Sequence, residues 1–153
     1  PYTTLFRSHT LTRPIRDGAD LAPLMILLQR RAMPYTVTIR DGLPRSTDQN
    51  RLQRLWCSEV SEQLGDRTPE QVRGYMKLHH GVQIRREDPE YDAIYRARII
   101  HLPYEAKLAL MMEPLDMPVS RDMTRRQLTR YLDAVYADFT AQGVVLTIPD
   151  RKR

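Results

Sequence analysis

The residues best suited to chemistry lie in the run Arg45-Ser46-Thr47-Asp48-Gln49-Asn50-Arg51, where an extended segment gives way to a helix. Ser46 and Gln49 form a capping-box pair, so the helix is predicted to begin at Thr47. A helix start carries free backbone N–H groups, and the two arginines of this run, together with Arg54, add guanidinium groups beside them. This combination suits an anion such as a phosphate.

A second group of cations lies at the start of another predicted helix, which Thr124 caps together with Gln127. Positive charges in a first turn oppose the helix dipole, so an anionic partner explains them better than helix stability does. Both cation groups follow extended segments, and their helices must pack into one core, so we expect them to line two sides of one groove. The second group is Arg121, Arg125, Arg126 and Arg130.

The charge composition fits a nucleic acid as the anionic partner. The formal net charge is +5, and only three of the 24 basic residues are lysines, namely Lys77, Lys107 and Lys152. Arginine offers a planar fork of donors for phosphate and a flat face for stacking on bases. A genome of high G+C content would produce the same bias, so composition alone does not decide between the two explanations.

The order of the predicted strands and helices that position these residues indicates an α+β fold. It has an N-terminal β-α-β unit with a small sheet, followed by a mainly helical body. The strands are predicted at Tyr2 to Arg7 and Tyr35 to Arg40, on either side of a helix that Asp17 or Asp20 caps and that runs to about Arg31.

The predicted helices of the body begin at capping residues or prolines and end at glycines. Two short β-type runs interrupt or follow them. The helices are predicted from Thr47 to Gly65, Thr68 to Gly81, Asp88 through Ile99, Pro103 through Met112 and Thr124 to Gly143, and the short runs at Val82 to Arg85 and Val144 to Ile148.

Metal-ligand residue types gather only at His79-His80 with Glu87 and Asp88. Adjacent histidines on a helix point about 100° apart, so they cannot both bind one ion from regular geometry. The chain has no glycine-rich phosphate loop, nucleophile elbow or paired catalytic carboxylates. We therefore expect no enzyme activity, no metal and no cofactor, and a metal-dependent nuclease or junction resolvase using these four residues is the first alternative.

Four ordered landmarks resemble the NinB family of bacteriophage recombination proteins, also called Orf. The likeness runs from the first predicted strand to Pro149, with the family's aromatic displaced from position 54 to Trp56. The landmarks are Arg45-Ser46-x-x-Gln49-Asn50-Arg51, the Thr68-Pro69-Glu70-Gln71 helix leading to Tyr75-Met76-Lys77, Val119-Ser120 before Met123-Thr124, and the helix with Tyr131-Leu132-Asp133 closed by Gly143-Val144.

The resemblance implies a homodimer that binds single-stranded DNA without sequence preference, interacts with single-strand binding protein and assists the loading of a recombinase. It implies one NinB-like domain over residues 1–153, with 82–118 as an extended helical insertion. The implied DNA-binding residues are Arg45, Ser46, Gln49, Asn50, Arg51, Arg54, Lys77, Ser120, Arg121, Arg125, Arg126 and Arg130.

The expected location is the bacterial host cytoplasm, because no run approaches the roughly 20 apolar residues of a membrane span and no secretory signal pattern is present. The single Cys57 excludes an internal disulfide. A second alternative is a replication or recombination adaptor that binds mainly protein, with an incidental basic surface.

Overall fold

The computed structural model describes residues 11–42 and 47–149 of the 153-residue chain. The chain divides into two compact units, one up to Leu43 and one from Pro44 onward. The described residues form helices, turns and extended segments, and none of them forms a β-strand. The predicted α+β fold with a small N-terminal sheet is therefore wrong. None of the described helices is both long enough and apolar enough to cross a membrane.

Helix α1 of the first unit spans Gly18–Arg30. Asp17 caps it, as one of the two predicted candidates, by accepting a hydrogen bond from the backbone N–H of Ala19 at 2.8 Å. Since the N-cap carboxylate satisfies a donor that the helix leaves unpaired, the local sequence fixes where α1 begins.

The residues from Tyr35 to Arg40, predicted as the second strand, are extended but not paired in a sheet. The Tyr35 hydroxyl donates to the carbonyl of Leu28 in α1 at 3.1 Å. An alternating β-branched run becomes a strand only beside another strand, and the described residues supply none. The predicted first strand, Tyr2 to Arg7, lies outside the described residues.

Helices build the second unit, and two of them begin with the predicted capping boxes. Thr68 and Gln71 exchange side-chain and backbone hydrogen bonds at the start of the helix Pro69–Met76, and Thr124 and Gln127 do so at the start of the helix Arg125–Ala141. Helix α2 begins at Thr47 as predicted. The helices are α2 Thr47–Leu64, α3 Pro69–Met76, α4 Val82–Arg85, α5 Pro89–Arg98, α6 Tyr104–Met111 and α7 Arg125–Ala141.

A continuous helical path joins α3 to α4 through a π-helical turn, Lys77–Gly81. The predictions that Gly81 stops the helix and that Val82 to Arg85 forms a strand are therefore wrong. Gly81 has helical angles, φ −72° and ψ −45°, and a Cβ there would lie 2.6 Å from Cγ1 of Val119. The glycine thus permits close packing against Val119 and does not end the helix.

The C-terminal segment, predicted as a short β-type run from Val144, is extended and bonds to side chains of α2. Gln63 accepts from the backbone N–H of Val145 at 2.8 Å and donates to its carbonyl at 2.7 Å. Glu59 accepts from the backbone N–H and the hydroxyl of Thr147. Helix side chains therefore replace the partner strand, and this segment forms no sheet.

The apolar stripes of α2, α3 and α7 meet in one core. Burial of these side chains removes apolar surface from water, which is the main term that holds the helices together. The completely buried members are Val60 from α2, Val72 and Met76 from α3, and Leu128, Tyr131, Val135 and Phe139 from α7.

Alanine at Gly81 and at Gly74 forms a matched pair that tests this packing. Each new Cβ would lie 2.6 Å from a neighbour, Val119 Cγ1 for Gly81 and Met112 Cγ for Gly74. Val119 is short, branched and completely buried, whereas methionine has several rotatable bonds and adapts. We expect Gly81→Ala to lower the free energy of unfolding by about 2 kcal/mol. The higher helix propensity of alanine should keep Gly74→Ala within about 1 kcal/mol of wild type. Urea denaturation measures both, and equal losses would contradict the packing argument.

Candidate nucleic-acid interface

The first turns of α2 and α7 lie side by side. Gln49 on α2 donates through Nε2 to the Thr129 hydroxyl at 2.9 Å and to the carbonyl of Arg125 at 3.4 Å. Cations that are distant in the sequence therefore share one region, which we call the helix-start surface. Its exposed members are Arg51, Arg54, Arg121, Arg125 and Arg126.

These cations, apart from Arg121, are only weakly neutralised by acidic neighbours. The nearest atoms of Arg51 and Asp48 are 4.0 Å apart, and their side chains are 79% and 95% exposed, so solvent screens the pair. Arg125 and Arg126 form no ion pair with any described residue, and no acidic residue occupies the first turn of α7. The positive charge is thus available to an anion.

Arg130 differs from Arg54, Arg125 and Arg126 because a carboxylate holds it. Its guanidinium donates two hydrogen bonds to Glu87, at 2.8 and 2.5 Å. The hydrogen bond from Arg130 lowers the pKa of Glu87. Arg130 therefore adds less to the positive potential than the unpaired arginines do. Arg45 and Ser46, also predicted for this site, lie outside the described residues.

A cavity of about 510 Å³ opens between α2, α3 and the segment 113–121. Arg54 and Arg121 belong to both the helix-start surface and the cavity lining. Residues that the resemblance predicts as DNA-binding thus come together from three separate segments of the chain. Those that line the cavity are Asn50, Arg54, Lys77, Ser120 and Arg121.

Lys77 lies inside the protein, at 2% exposure, and not on the surface. Its amine donates to the carboxylate of Asp116 at 2.8 Å and to the carbonyl of Met111 at 2.8 Å. Arg73 donates to the same Asp116 oxygen at 2.8 Å, and Arg121 lies 3.3 Å from the other one. Three cations thus surround one carboxylate beside the cavity.

The pKa shifts of this cluster follow from burial and charge. Burial lowers the pKa of Lys77, although the hydrogen bond to Asp116 opposes that shift. The hydrogen bond from Lys77 lowers the pKa of Asp116 to about 2, with Arg73 acting in the same direction against the effect of partial burial. Asp116 is therefore ionised at every pH near neutrality and holds Lys77 in place.

The tryptophan near Arg54 cannot stack on a base in this structure. Trp56 is 5% exposed, and its indole N–H donates to the carbonyl of Thr147 at 2.8 Å. Its ring packs against Tyr136, with ring centroids 5.8 Å apart. No aromatic side chain is among the described residues that line the cavity. Arginine side chains are therefore the flat faces available at this surface.

The four residues of the nuclease alternative have separate partners. Each side chain that would have to face a shared ion instead makes its own hydrogen bond. The partners are Tyr104 for His79 (2.8 Å), Asp138 for His80 (2.7 Å), Arg130 for Glu87 and the backbone N–H of Glu90 for Asp88. In the part of the chain that the structure describes, no group of three or more His, Cys, Asp or Glu side chains is placed to hold a metal ion.

Comparisons of the chain with protein-family models, with curated proteins and with solved structures find no match. The resemblance to the NinB family therefore stays a prediction from the landmark residues.

Asp116 and Arg73 line the cavity but are absent from the residues predicted for the site. One signal was present, because Lys77 follows the buried Met76 and a lysine beside a buried stripe needs an anionic partner. Asp116 itself gives no local signal. It lies in a proline-containing loop, 39 positions after Lys77, so only the tertiary structure pairs the two residues.

Replacement of Asp116 by asparagine tests whether this carboxylate holds the site together. Asp116 has a φ of 42°, and asparagine tolerates this left-handed conformation, so the backbone should persist. The change leaves Lys77 buried without its anion. We expect Asp116→Asn to lower the free energy of unfolding by about 3 kcal/mol at neutral pH. The exposed Asp48→Asn control should change it by less than about 0.5 kcal/mol.

The difference in stability between wild type and Asp116→Asn should depend on pH. The pKa of Asp116 in the folded state, about 2, lies below its ordinary value of 3.8. The contribution of this carboxylate to the free energy of unfolding is therefore fully present above pH 3.8 and is lost as the pH falls through about 2. The difference between wild type and Asp116→Asn should shrink over that interval. A difference that stays constant in urea melts across it would contradict the assignment.

Proposed function

We propose that this protein is a phage or prophage recombination-associated protein that binds single-stranded DNA without sequence preference and assists the loading of a recombinase. The NinB resemblance implies this role. The observation that supports its DNA-binding part is the contact of Gln49 with Thr129 and Arg125, which gathers arginines from two helix starts. Because sequence-tolerant binding needs a cationic track and no base-specific code, such a surface is sufficient for it.

The chemistry of the helix-start surface favours phosphate over a carboxylate partner on a protein. Arginine forks bind phosphate oxygens with two parallel hydrogen bonds, and the first turns of α2 and α7 add backbone N–H groups that the helices leave unpaired. The opposing dipole at the start of α7 also makes Arg125 and Arg126 unfavourable without an anion. A polyanion that passes along both helix starts satisfies all of these groups at once.

Charge reversal at one arginine on each helix tests the proposal. Arg51→Glu with Arg126→Glu removes two cations and adds two anions on the helix-start surface. Each charge-assisted hydrogen bond contributes about 1.5 kcal/mol, so affinity for a labelled oligothymidylate should fall by a factor on the order of 10 to 100. Fluorescence anisotropy at low salt measures the loss. The melting temperature should stay nearly unchanged, because the two side chains are exposed.

A matched double variant controls for net charge. Arg96→Glu with Arg98→Glu changes the total charge equally, at two exposed positions of α5. We expect this control to bind the oligonucleotide within about threefold of wild type, because only nearby charges escape screening by salt. Equal losses of affinity in both double variants, or no loss in the Arg51 and Arg126 variant, would show that the helix-start surface does not bind the DNA.

A further inference from the structure

The cavity between α2, α3 and the segment 113–121 has the size of a small-ligand site. At about 510 Å³, it falls within the range of pockets that enclose small organic molecules. Arg54 and Arg121 are among the exposed residues of its lining, and both also belong to the helix-start surface. A strand bound along that surface would therefore pass the mouth of the cavity.

The interior of the cavity is close to electrically neutral. Arg73 is paired with Glu70 at 2.7 Å and with Asp116 at 2.8 Å, and Lys77 shares Asp116 at 2.8 Å. A phosphate placed among these groups would meet two carboxylates that already hold the local cations, and Glu113 is a third carboxylate of the lining. The interior therefore suits a neutral polar group better than an anion.

Two neutral polar groups of the lining have unused hydrogen-bonding capacity. The Asn50 amide is half-buried and the Ser120 hydroxyl belongs to a residue 6% exposed, and neither side chain bonds to another described residue. An amide offers both donors and an acceptor, and a hydroxyl offers both as well. Together they can meet the polar edge of any base, which fits binding without sequence preference.

The rest of the lining complements this pattern. Met117 and Pro118 add accessible apolar surface to the lining, against which a flat ring can pack. At the mouth, Arg54 is exposed and forms no ion pair with a described residue. Arg121 donates to Asp116 at 3.3 Å and is 58% exposed. This hydrogen bond is long and screened by solvent, so Arg121 can exchange it for a contact with a phosphate.

We propose that this cavity takes one nucleobase of the bound strand, with Asn50 and Ser120 on its polar edge and Arg54 and Arg121 on the flanking phosphates. The proposal rests on the proposed function and names the part of the strand that enters the site. Binding would thus combine a phosphate contribution along the helix-start surface with a base contribution inside the cavity.

Abasic DNA separates these two contributions. The full chain is titrated into a labelled oligothymidylate and into an abasic strand with the same number of phosphates, and anisotropy gives both affinities. We expect wild type to bind the strand with bases about tenfold more tightly. Asn50→Leu, which keeps the side-chain size and removes the amide, should abolish most of this preference by weakening binding of the strand with bases more than binding of the abasic strand. Ser120→Ala is the second variant and should reduce the preference partially.

Gln83→Leu is the matched control, because Gln83 is an exposed amide lining a different cavity of about 530 Å³, and it should keep the full preference. Equal wild-type affinity for the two strands would overturn the base pocket while leaving the proposed function intact. A tenfold preference that persists in both Asn50→Leu and Ser120→Ala would do the same. No binding of either strand at low salt would overturn the proposed function and the base pocket together.

Discussion

The buried ion pair between Lys77 and Asp116 is the interaction on which the candidate site depends. An ammonium at 2% exposure is tolerated only with an anion and further hydrogen bonds around it, and Asp116 with the Met111 carbonyl supplies them. The pair ties the π-helical turn after α3 to the loop before Ser120 and Arg121. π-helical turns are rare and are often found at functional sites. Here the turn places a lysine beside the cavity and a glycine against Val119.

This arrangement separates two kinds of charge. Cations on the cavity floor are matched by Glu70 and Asp116 and stabilise the fold, whereas those of the helix-start surface face solvent with little neutralisation. The first set can be rigid because it is buried and hydrogen-bonded, and the second can follow a flexible polyanion because it is exposed. Arg121 belongs to both sets, since it borders Asp116 and the mouth of the cavity. A bound strand would therefore contact a rigid pocket and an adaptable surface together.

Local signals in the sequence predicted local structure. Thr68 with Gln71 and Thr124 with Gln127 identified two helix starts because a capping box is completed within four residues. The β-branched alternation from Tyr35 to Arg40 predicted a strand that does not form, because a strand requires a partner that the described chain lacks. The predicted helix end at Gly81 was wrong because a glycine that ends a helix and one that permits close packing look alike in sequence. Asn50, Lys77 and Ser120 line one cavity, and Lys77 is held there by Asp116. This contact joins residues 39 positions apart, so no local pattern encodes it.

The most direct test of the account is the salt dependence of single-stranded DNA binding by the wild-type protein. If the helix-start surface neutralises about four to six phosphates, the logarithm of the affinity should fall linearly against the logarithm of salt concentration, with a slope of about −3 to −4. Oligonucleotides of different base composition should give similar slopes and affinities. A flat salt response, or strong preference for one sequence, would contradict the central claim that an arginine surface at two helix starts binds the DNA backbone.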